Sequence, residues 1–185
     1  MEKIKQWWRE FEEKNPKLSR WVREGGLFFL VSNLITILRS VMHTLLQPLF
    51  EFMGTEAVGF PRITINFLGR EFPWYIIGAS EEVGGVSYLV AMLVAMWTCE
   101  IVNFFMQRKF VFRSNGNIGK QATLYFLAFL VVNCIVLAVS NFWTGWAVAF
   151  VPPFVYNLVT TFITGGVAMV VFFFANRFIF KEGNE

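Results

Sequence analysis

Two charged residues lie inside stretches of this sequence that are otherwise apolar. Arg39 falls in the run 26–46, and Glu100 falls in the run 86–105. A charge near the middle of a bilayer costs roughly 2.5–3.5 kcal/mol on insertion scales, so such residues pair with one another or face a wet cavity. We expect Arg39 and Glu100 to pair, either as a fixed ion pair or as one that opens when a phosphate binds the guanidinium. His43, one turn further on, is either an additional donor or a packed polar group.

A basic and aromatic sequence occurs twice, as "NFFMQRKFVFRS" from Asn103 and as "VFFFANRFIFKE" from Val171. Its phenylalanines are expected to embed at the membrane interface, where Lys and Arg reach the head-group layer. The bases either anchor the helix ends or bind phosphate oxygens. The motif residues predicted to contact a phosphate or head group are Asn103, Arg108, Lys109, Arg113, Asn176, Arg177 and Lys181.

Small polar side chains recur at helical spacing along the apolar runs, which predicts a polar groove between helices. For the serines and threonines the alternative is hydrogen bonding that holds helices together. The predicted groove residues are Ser32, Asn33, Thr36, Ser40, Gln107, Asn133, Thr160 and Thr164.

The composition indicates a membrane protein. Only 16% of the 185 residues are charged, 56% are hydrophobic, and the mean hydropathy is +0.53; soluble domains carry about 25% charged residues. Four runs approach the roughly 20 residues that cross a bilayer, at about 26–46, 86–105, 124–143 and 155–174. We predict an all-α membrane protein whose four transmembrane helices form two tandem hairpins in a parallel repeat.

The segments around these runs predict orientation. Ile4, Trp7, Trp8 and Phe11 recur at helical spacing, so residues 1–24 are predicted to form a cytoplasmic, amphipathic interfacial segment whose helix ends at Asn15-Pro16. Bases are concentrated before the first run, after the second and after the fourth, which predicts that both termini lie in the cytoplasm. Residues 25–181 then form the transmembrane domain. Residues 47–85 form an outer cap, predicted as a short hairpin with strands at 63–67 and 74–77.

Several functions find no support in the sequence. No nucleophile–base pair, paired carboxylates or metal-ligand cluster is visible, so we predict no enzyme activity, cofactor, metal or nucleic-acid partner. Cys99 and Cys134 lie in apolar runs and are interpreted as packing residues. A small multidrug exporter is disfavoured, because that class depends on a carboxylate in its first helix, whereas this helix carries Arg39.

The sequence resembles the GtrA-like family of small four-helix membrane proteins. Helices of that family end in patterns similar to N-F-x-x-x-R-x-x-x-F, and "NFFMQRKFVF" at 103–112 fits this pattern. The second copy, "FFFANRFIF" at 172–180, lacks the leading Asn, and "FFLVSN" at 28–33 resembles the start of the first helix of the family. The resemblance extends from about Gly25 to Lys181, although the N-terminal segment and the outer cap are long for the family.

The resemblance implies a flippase that moves a polyprenyl-phosphate-linked monosaccharide from the inner to the outer leaflet, for glycosylation of cell-envelope glycans. The alternative is a non-transporting accessory or anchoring subunit of a membrane glycosyltransferase, with the basic and aromatic helix ends as docking sites. The implied partners are the lipid-linked sugar, membrane lipid and, on the second reading, the glycosyltransferase. Gly165 and Gly166 allow close helix approach, either within one chain or in a homodimer.

Overall fold

Helices make up most of the described chain. The computed structural model describes residues 2–79, 81, 84–147, 150–152, 155, 159 and 162–181, with the backbone alone for 2–5, 162–164 and 181. The α-helices are α1 Glu2–Lys14, α2 Pro16–Leu46, α3 Gly85–Met106, α4 Ile118–Ala147 and α5 Ala168–Lys181. A 3-10 helix, Gln47–Met53, continues α2, and π-helical turns Gln107–Val111 and Phe162–Val167 follow α3 and precede α5.

Three helical segments are long and apolar enough to cross a bilayer: Pro16–Met53, Gly85–Val111 and Ile118–Ala147. A fourth apolar helical segment, Gly165–Phe180, is shorter. The fourth predicted span, 155–174, lies partly outside the described residues. The described part of the chain therefore contains three of the four predicted spans at full length.

Helix α2 begins well before the predicted span. Its first residue is Pro16, whose fixed φ suits the first position of a helix. Its 31 residues measure about 46 Å at 1.5 Å per residue, compared with a hydrocarbon core of about 30 Å. The second half of the predicted interfacial segment is thus continuous with the first span, and only α1 is a separate helix. The placement of α1 on a membrane surface stays a prediction.

The helices pack most closely as α2 with α3 and α4 with α5. The start of α2 meets the end of α5 through Glu24 and Arg177, and the end of α3 meets the start of α4 through Arg108 and Gln121. We call this end of the bundle the motif end, because both basic and aromatic motifs lie there. The opposite end is called the hairpin end.

Four short strands connect α2 to α3 at the hairpin end: β1 Val58–Phe60, β2 Ile63–Phe67, β3 Arg70–Trp74 and β4 Ile77–Ala79. β2 pairs with β3, and β1 pairs with β4, both antiparallel. Leu68 and Gly69 have φ of 51° and 77°, as the two central residues of a type I′ hairpin turn require. The predicted hairpin is present, but its second strand begins at Arg70 rather than near Trp74, because the turn contains only two residues.

The last three residues of the aligned motif copies, 110–112 and 178–180, have the same pattern of burial. Phe110 and Phe178 are exposed, at 53% and 73%, whereas Phe112 and Phe180 are buried and stack with ring centroids 5.4 Å apart. Phe104 is also buried, 5.8 Å from Phe180. The prediction that the motif phenylalanines embed at the interface is wrong for these three buried rings, because the two helix ends pack against each other and form the core.

The hairpin is attached to α4. Arg70 and Trp74 donate side-chain hydrogen bonds to the carbonyl oxygens of Trp146 and Ala138, at 2.8 and 2.9 Å. Gly145 lies under the buried ring of Phe72, and a Cβ added at this glycine would stand 2.5 Å from that ring. The hairpin therefore sits on α4 only because residue 145 has no side chain.

We predict that Gly145→Ala displaces Phe72 and loosens the hairpin. Overpacking of a closed contact typically costs about 1–3 kcal/mol. Thermal unfolding in detergent and hydrogen exchange over residues 63–74 measure the effect. The matched control is Gly26→Ala, since a Cβ there meets no atom within 4 Å and alanine favours a helix. Equal stability and equal exchange in the two variants would contradict the prediction.

Candidate functional site

A buried carboxylate organises the centre of the helix bundle. Glu100 of α3 is 3% exposed. Its Oε2 accepts a hydrogen bond from Arg39 Nη2 at 3.0 Å, and its Oε1 accepts from the Tyr125 hydroxyl at 2.5 Å and from Asn103 Nδ2 at 2.9 Å. Removing one partner of a buried ion pair costs about 3–5 kcal/mol, because the other charge is then left unpaired in a low dielectric. The predicted pairing of Arg39 with Glu100 is present, and it ties α2, α3 and α4 together.

Arg39 keeps capacity for a further partner. Its side chain is 35% exposed, compared with 5% for Glu100. Only one of its five N–H donors reaches Glu100, and its buried Nε has no hydrogen-bond partner among the described residues. Because a guanidinium binds carboxylate or phosphate through two donors at once, the free side of Arg39 can accept an anionic group without first leaving Glu100.

A cavity of about 160 Å³ opens beside this ion pair. Two of its lining residues, Thr36 of α2 and Gly165 of the π-helical turn before α5, are exposed, so the cavity opens to the outside of the bundle between them. Hydrophobic lining comes mainly from buried side chains of α2, α4 and α5. The predicted polar residues that line it are Ser32, Thr36, Arg39, Glu100, Asn103, Asn133 and Asn176.

Other predicted residues of α2 lie outside the cavity. The side chains of Asn33 and Ser40 are exposed and donate to the carbonyl oxygens of Phe29 and Thr36, at 2.7 and 3.0 Å. A helix turns by about 100° per residue, which moves both side chains off the face that holds Ser32 and Arg39. The groove assignment is therefore wrong for Asn33 and Ser40.

His43 lies on the cavity face of α2 but nearer the hairpin end. Its ring packs edge-on against Tyr88, with centroids 4.5 Å apart. Its buried Nε2 has no partner among the described residues, and the ring does not line the cavity.

Gln107 extends the polar network toward the motif end. This residue is fully buried, and its Nε2 donates to Asn103 Oδ1 at 3.2 Å. Its Oε1 has no partner among the described residues. A line of buried polar groups thus runs along α3 from Glu100 to Gln107. Of the remaining groove predictions, Thr160 and the side chain of Thr164 lie outside the described residues.

In the first motif, Arg108 fastens α3 to α4. Its Nε donates to Gln121 Oε1, and its Nη2 donates to the Gly116 carbonyl, both at 2.9 Å. Gln121 is buried and donates in turn to Ser114 Oγ at 2.7 Å. These internal bonds occupy Arg108, so it serves the helix connection.

Lys109 and Arg113 differ from Arg108, because both are exposed and line a surface cavity of about 460 Å³. Arg113 has φ 50°, a left-handed conformation that ends a helix and is uncommon for a residue other than glycine. Among the described residues neither base has an ion-pair partner, and the Lys109 ammonium lies 5.6 Å from the Phe110 ring. They are the exposed cations of this motif.

In the second motif, Arg177 is bound to a carboxylate of α2. Glu24 is 2% exposed and accepts hydrogen bonds from Arg177 and, at 2.7 Å, from Arg20. The Arg177 guanidinium also stacks on Trp21, 3.6 Å from the ring centre. The four side chains border a cavity of about 300 Å³. Asn176 points instead into the cavity of Arg39, and the side chain of Lys181 lies outside the described residues.

The cavity at Arg177 and the cavity at Arg39 share no lining residue. Phe28, Phe112 and Phe173 lie between them and pack edge-on or tilted, with centroids 5.4 Å and 6.4 Å apart. These aromatic side chains therefore separate the two cavities.

Sequence reasoning missed Tyr125 and Glu24. Tyr125 lies in an otherwise apolar span. Its position four residues after Gln121 puts both polar groups on one helix face, which is a signal for a polar contact there. Glu24 was assigned to the interfacial segment, and nothing in the local sequence showed that α5 would bury it.

The apolar helices around an internal ion pair define an integral membrane protein of several helices. A family model, "GtrA/DPMS, transmembrane domain", matches residues 72–180, well over half of the chain. The chain belongs to this family. Comparisons with curated proteins and with solved structures give no match.

The family match begins at β3 and ends near the end of α5. It covers both basic and aromatic motifs, Glu100 and the α4 residues of the site. Helix α2, with Arg39, lies before it, so the match is shorter than the resemblance from Gly25 suggested. Arg39 is assigned to the site by its contact with Glu100 alone.

We predict that Tyr125→Phe destabilises the protein while retaining the packing of the ring. The change removes the 2.5 Å hydrogen bond to Glu100, and a hydrogen bond to a charged group contributes about 1.5–3 kcal/mol. Thermal or denaturant unfolding in detergent measures the loss. Tyr88→Phe is the matched control, because its hydroxyl has no hydrogen-bond partner in the described part of the chain. The prediction fails if both variants unfold like the wild type.

Proposed function

We propose that this protein is a flippase that moves a polyprenyl-phosphate-linked monosaccharide from the inner to the outer leaflet of the cytoplasmic membrane, and that it has no catalytic activity. The proposal rests on one observation above all, the Arg39–Glu100 ion pair beside a cavity that opens to the outside of the bundle. The family supports a membrane protein in processes related to glycosyl carriers. The motif end is placed in the cytoplasm, following the distribution of bases.

A phosphate is the group that Arg39 is suited to bind. A permanent cation inside an apolar helix favours an anionic ligand, and the ion pair with Glu100 keeps that cation compensated while no ligand is bound. As the phosphate arrives, it takes the free donors of Arg39 and competes with Glu100 for the remaining one. Tyr125 and Asn103 continue to satisfy the carboxylate.

The sugar requires polar partners and the prenyl chain requires lipid. The hydroxyl and amide groups of Ser32, Thr36 and Asn133 in the cavity lining can exchange hydrogen bonds with sugar hydroxyls. The opening between Thr36 and Gly165 lets the prenyl chain stay outside the bundle. Lys109 and Arg113 provide the first attraction for the head group at the motif end, where they are exposed.

A second candidate function is a non-transporting subunit that docks onto a membrane glycosyltransferase. It is favoured by the exposed rings of Phe110 and Phe178 at the motif end and by Arg108, which is occupied within the fold. The two functions differ in one result. A flippase moves lipid-linked sugar in vesicles that contain this chain alone, whereas a docking subunit requires the glycosyltransferase.

We predict that Arg39→Gln slows transport at least tenfold, about the effect of losing one hydrogen bond between charged groups. The assay follows a labelled polyprenyl-phosphate sugar in proteoliposomes. Arg9→Gln, an exposed change on α1, is the control for loss of a positive charge, and Arg39→Lys is expected to recover part of the rate. Normal transport by a folded Arg39→Gln protein would contradict the proposed mechanism.

We predict that Thr36→Val slows transport more than Thr44→Val. Both threonines are exposed on α2, and each hydroxyl bonds the carbonyl four residues earlier at 2.9 Å, but only Thr36 lines the cavity. Comparing the two variants separates the effect of losing a hydroxyl in the cavity from the effect of replacing a threonine elsewhere on α2. Equal transport rates for the two variants in the same vesicles would show that Thr36 does not contribute to transport.

A further inference from the structure

A second polar cavity, of about 520 Å³, lies at the hairpin end between the strands and α4. Ligand sites commonly measure 300–1,000 Å³ and combine apolar walls with a few polar groups. The polar residues of this lining are Arg62, Arg70, Glu71, Tyr75, Asn141 and Thr144. None of them belongs to the site at Arg39.

The two arginines have different roles. Arg70 is held by its hydrogen bond to the Trp146 carbonyl at 2.8 Å. Arg62 is exposed and has no hydrogen-bond or ion-pair partner in the described part of the chain. A guanidinium at the mouth of a cavity, with all its donors free, is suited to bind two oxygens of a phosphate.

The rest of the lining suits a sugar. A site for phosphate alone would gain nothing from Glu71, since the two anions repel. Glu71 can instead accept hydrogen bonds from sugar hydroxyls, and the Tyr75 ring offers an apolar surface to the face of the sugar. Asn141 donates to the Tyr75 carbonyl at 2.9 Å, which holds this wall of the cavity on α4.

Helix α4 connects the two cavities. Asn133 lines the cavity of Arg39, and Thr144 lines the cavity under the hairpin. With about 100° per residue, Asn133, Ser140 and Thr144 fall within about 40° of one another, and about 16 Å separates the first from the last. Asn133, Ser140 and Thr144 therefore share one side of α4, which extends from the ion pair to the hairpin end.

We propose that the hairpin cavity is a second binding site, which takes the phosphorylated monosaccharide after it has passed Arg39. The inference rests on the proposed function for its direction, but the site itself is defined by its chemistry, a hexose carrying a phosphate ester. Arg62 binds the phosphate, and Glu71 and Tyr75 bind the sugar, while Asn141 holds the wall of the cavity on α4. The same chemistry is present in a lipid-linked sugar and in a free sugar phosphate.

Thiol protection tests the site. Thr144→Cys is made in a Cys134→Ser background, which removes the exposed native thiol and leaves the buried Cys99. The full chain in nanodiscs is labelled with a water-soluble thiol reagent, in the presence of a polyprenyl-phosphate hexose, a free hexose 1-phosphate or inorganic phosphate. Thr55→Cys, the same substitution at an exposed position on the same cap but outside the cavity lining, is the matched control.

We expect the hexose phosphates to slow labelling at Thr144→Cys and to leave labelling at Thr55→Cys unchanged. Adding Arg62→Gln should weaken protection about tenfold or more, as expected for loss of a charge-assisted pair, whereas Glu51→Gln, a change of one charge elsewhere on the same cap, should not. Stronger protection by the lipid-linked sugar identifies the membrane as the source of the ligand. Equal protection by the free hexose 1-phosphate identifies a soluble source, and both results support the site.

Three results would overturn the inference: no protection by either hexose phosphate, equal protection in the Arg62→Gln variant, or equal protection by inorganic phosphate alone. The vesicle assay separates this inference from the proposed function. If the protein transports the lipid-linked sugar but the ligand gives no protection, the proposed flippase function stands and the second binding site is wrong. If the ligand gives protection but the protein does not transport, the second binding site stands and the proposed flippase function is wrong.

Discussion

The arrangement of the bundle depends on the need to neutralise one carboxylate in an apolar interior. Glu100 receives hydrogen bonds from Arg39, Tyr125 and Asn103, which come from α2, α4 and its own helix. An unpaired charge there would cost several kcal/mol, so these three helices are held at fixed depth and rotation relative to one another. The cavity beside the pair is a consequence, because the side chains that reach Glu100 leave space on the side facing α5.

A second buried carboxylate has the corresponding role at the motif end. Glu24 holds Arg177, which also stacks on Trp21, and so joins α2 to α5. Arg108 joins α3 to α4 in the same region. The repeated sequence thus has two functions divided by position within each copy. Its inward rings, Phe112 and Phe180, build the core, while the exposed bases of the first copy remain available to an anionic head group.

This division gives the molecule three polar regions along the helix bundle: exposed bases at the motif end, the ion pair between the two ends, and the cavity under the hairpin. Packed aromatic rings, of which Phe28 is buried, separate the cavity at Arg177 from the cavity at Arg39. The last two of the three regions are joined by one face of α4. A protein that handles a lipid with a charged, hydroxylated head group benefits from such a series, because each region lowers the cost of keeping the head group away from water.

The membrane character, three of the spans, the hairpin and the pairing of Arg39 with Glu100 could be predicted from the sequence. These follow from local rules: hydropathy over about 20 residues, alternation in a strand, and the cost of a lone charge in lipid. Three features became visible only in the folded chain: Asn33 and Ser40 face away from the cavity, Tyr125 completes the carboxylate site, and Glu24 binds Arg177. Those outcomes depend on how helices distant in sequence rotate and approach one another, and the spacing of residues within one helix does not contain that information.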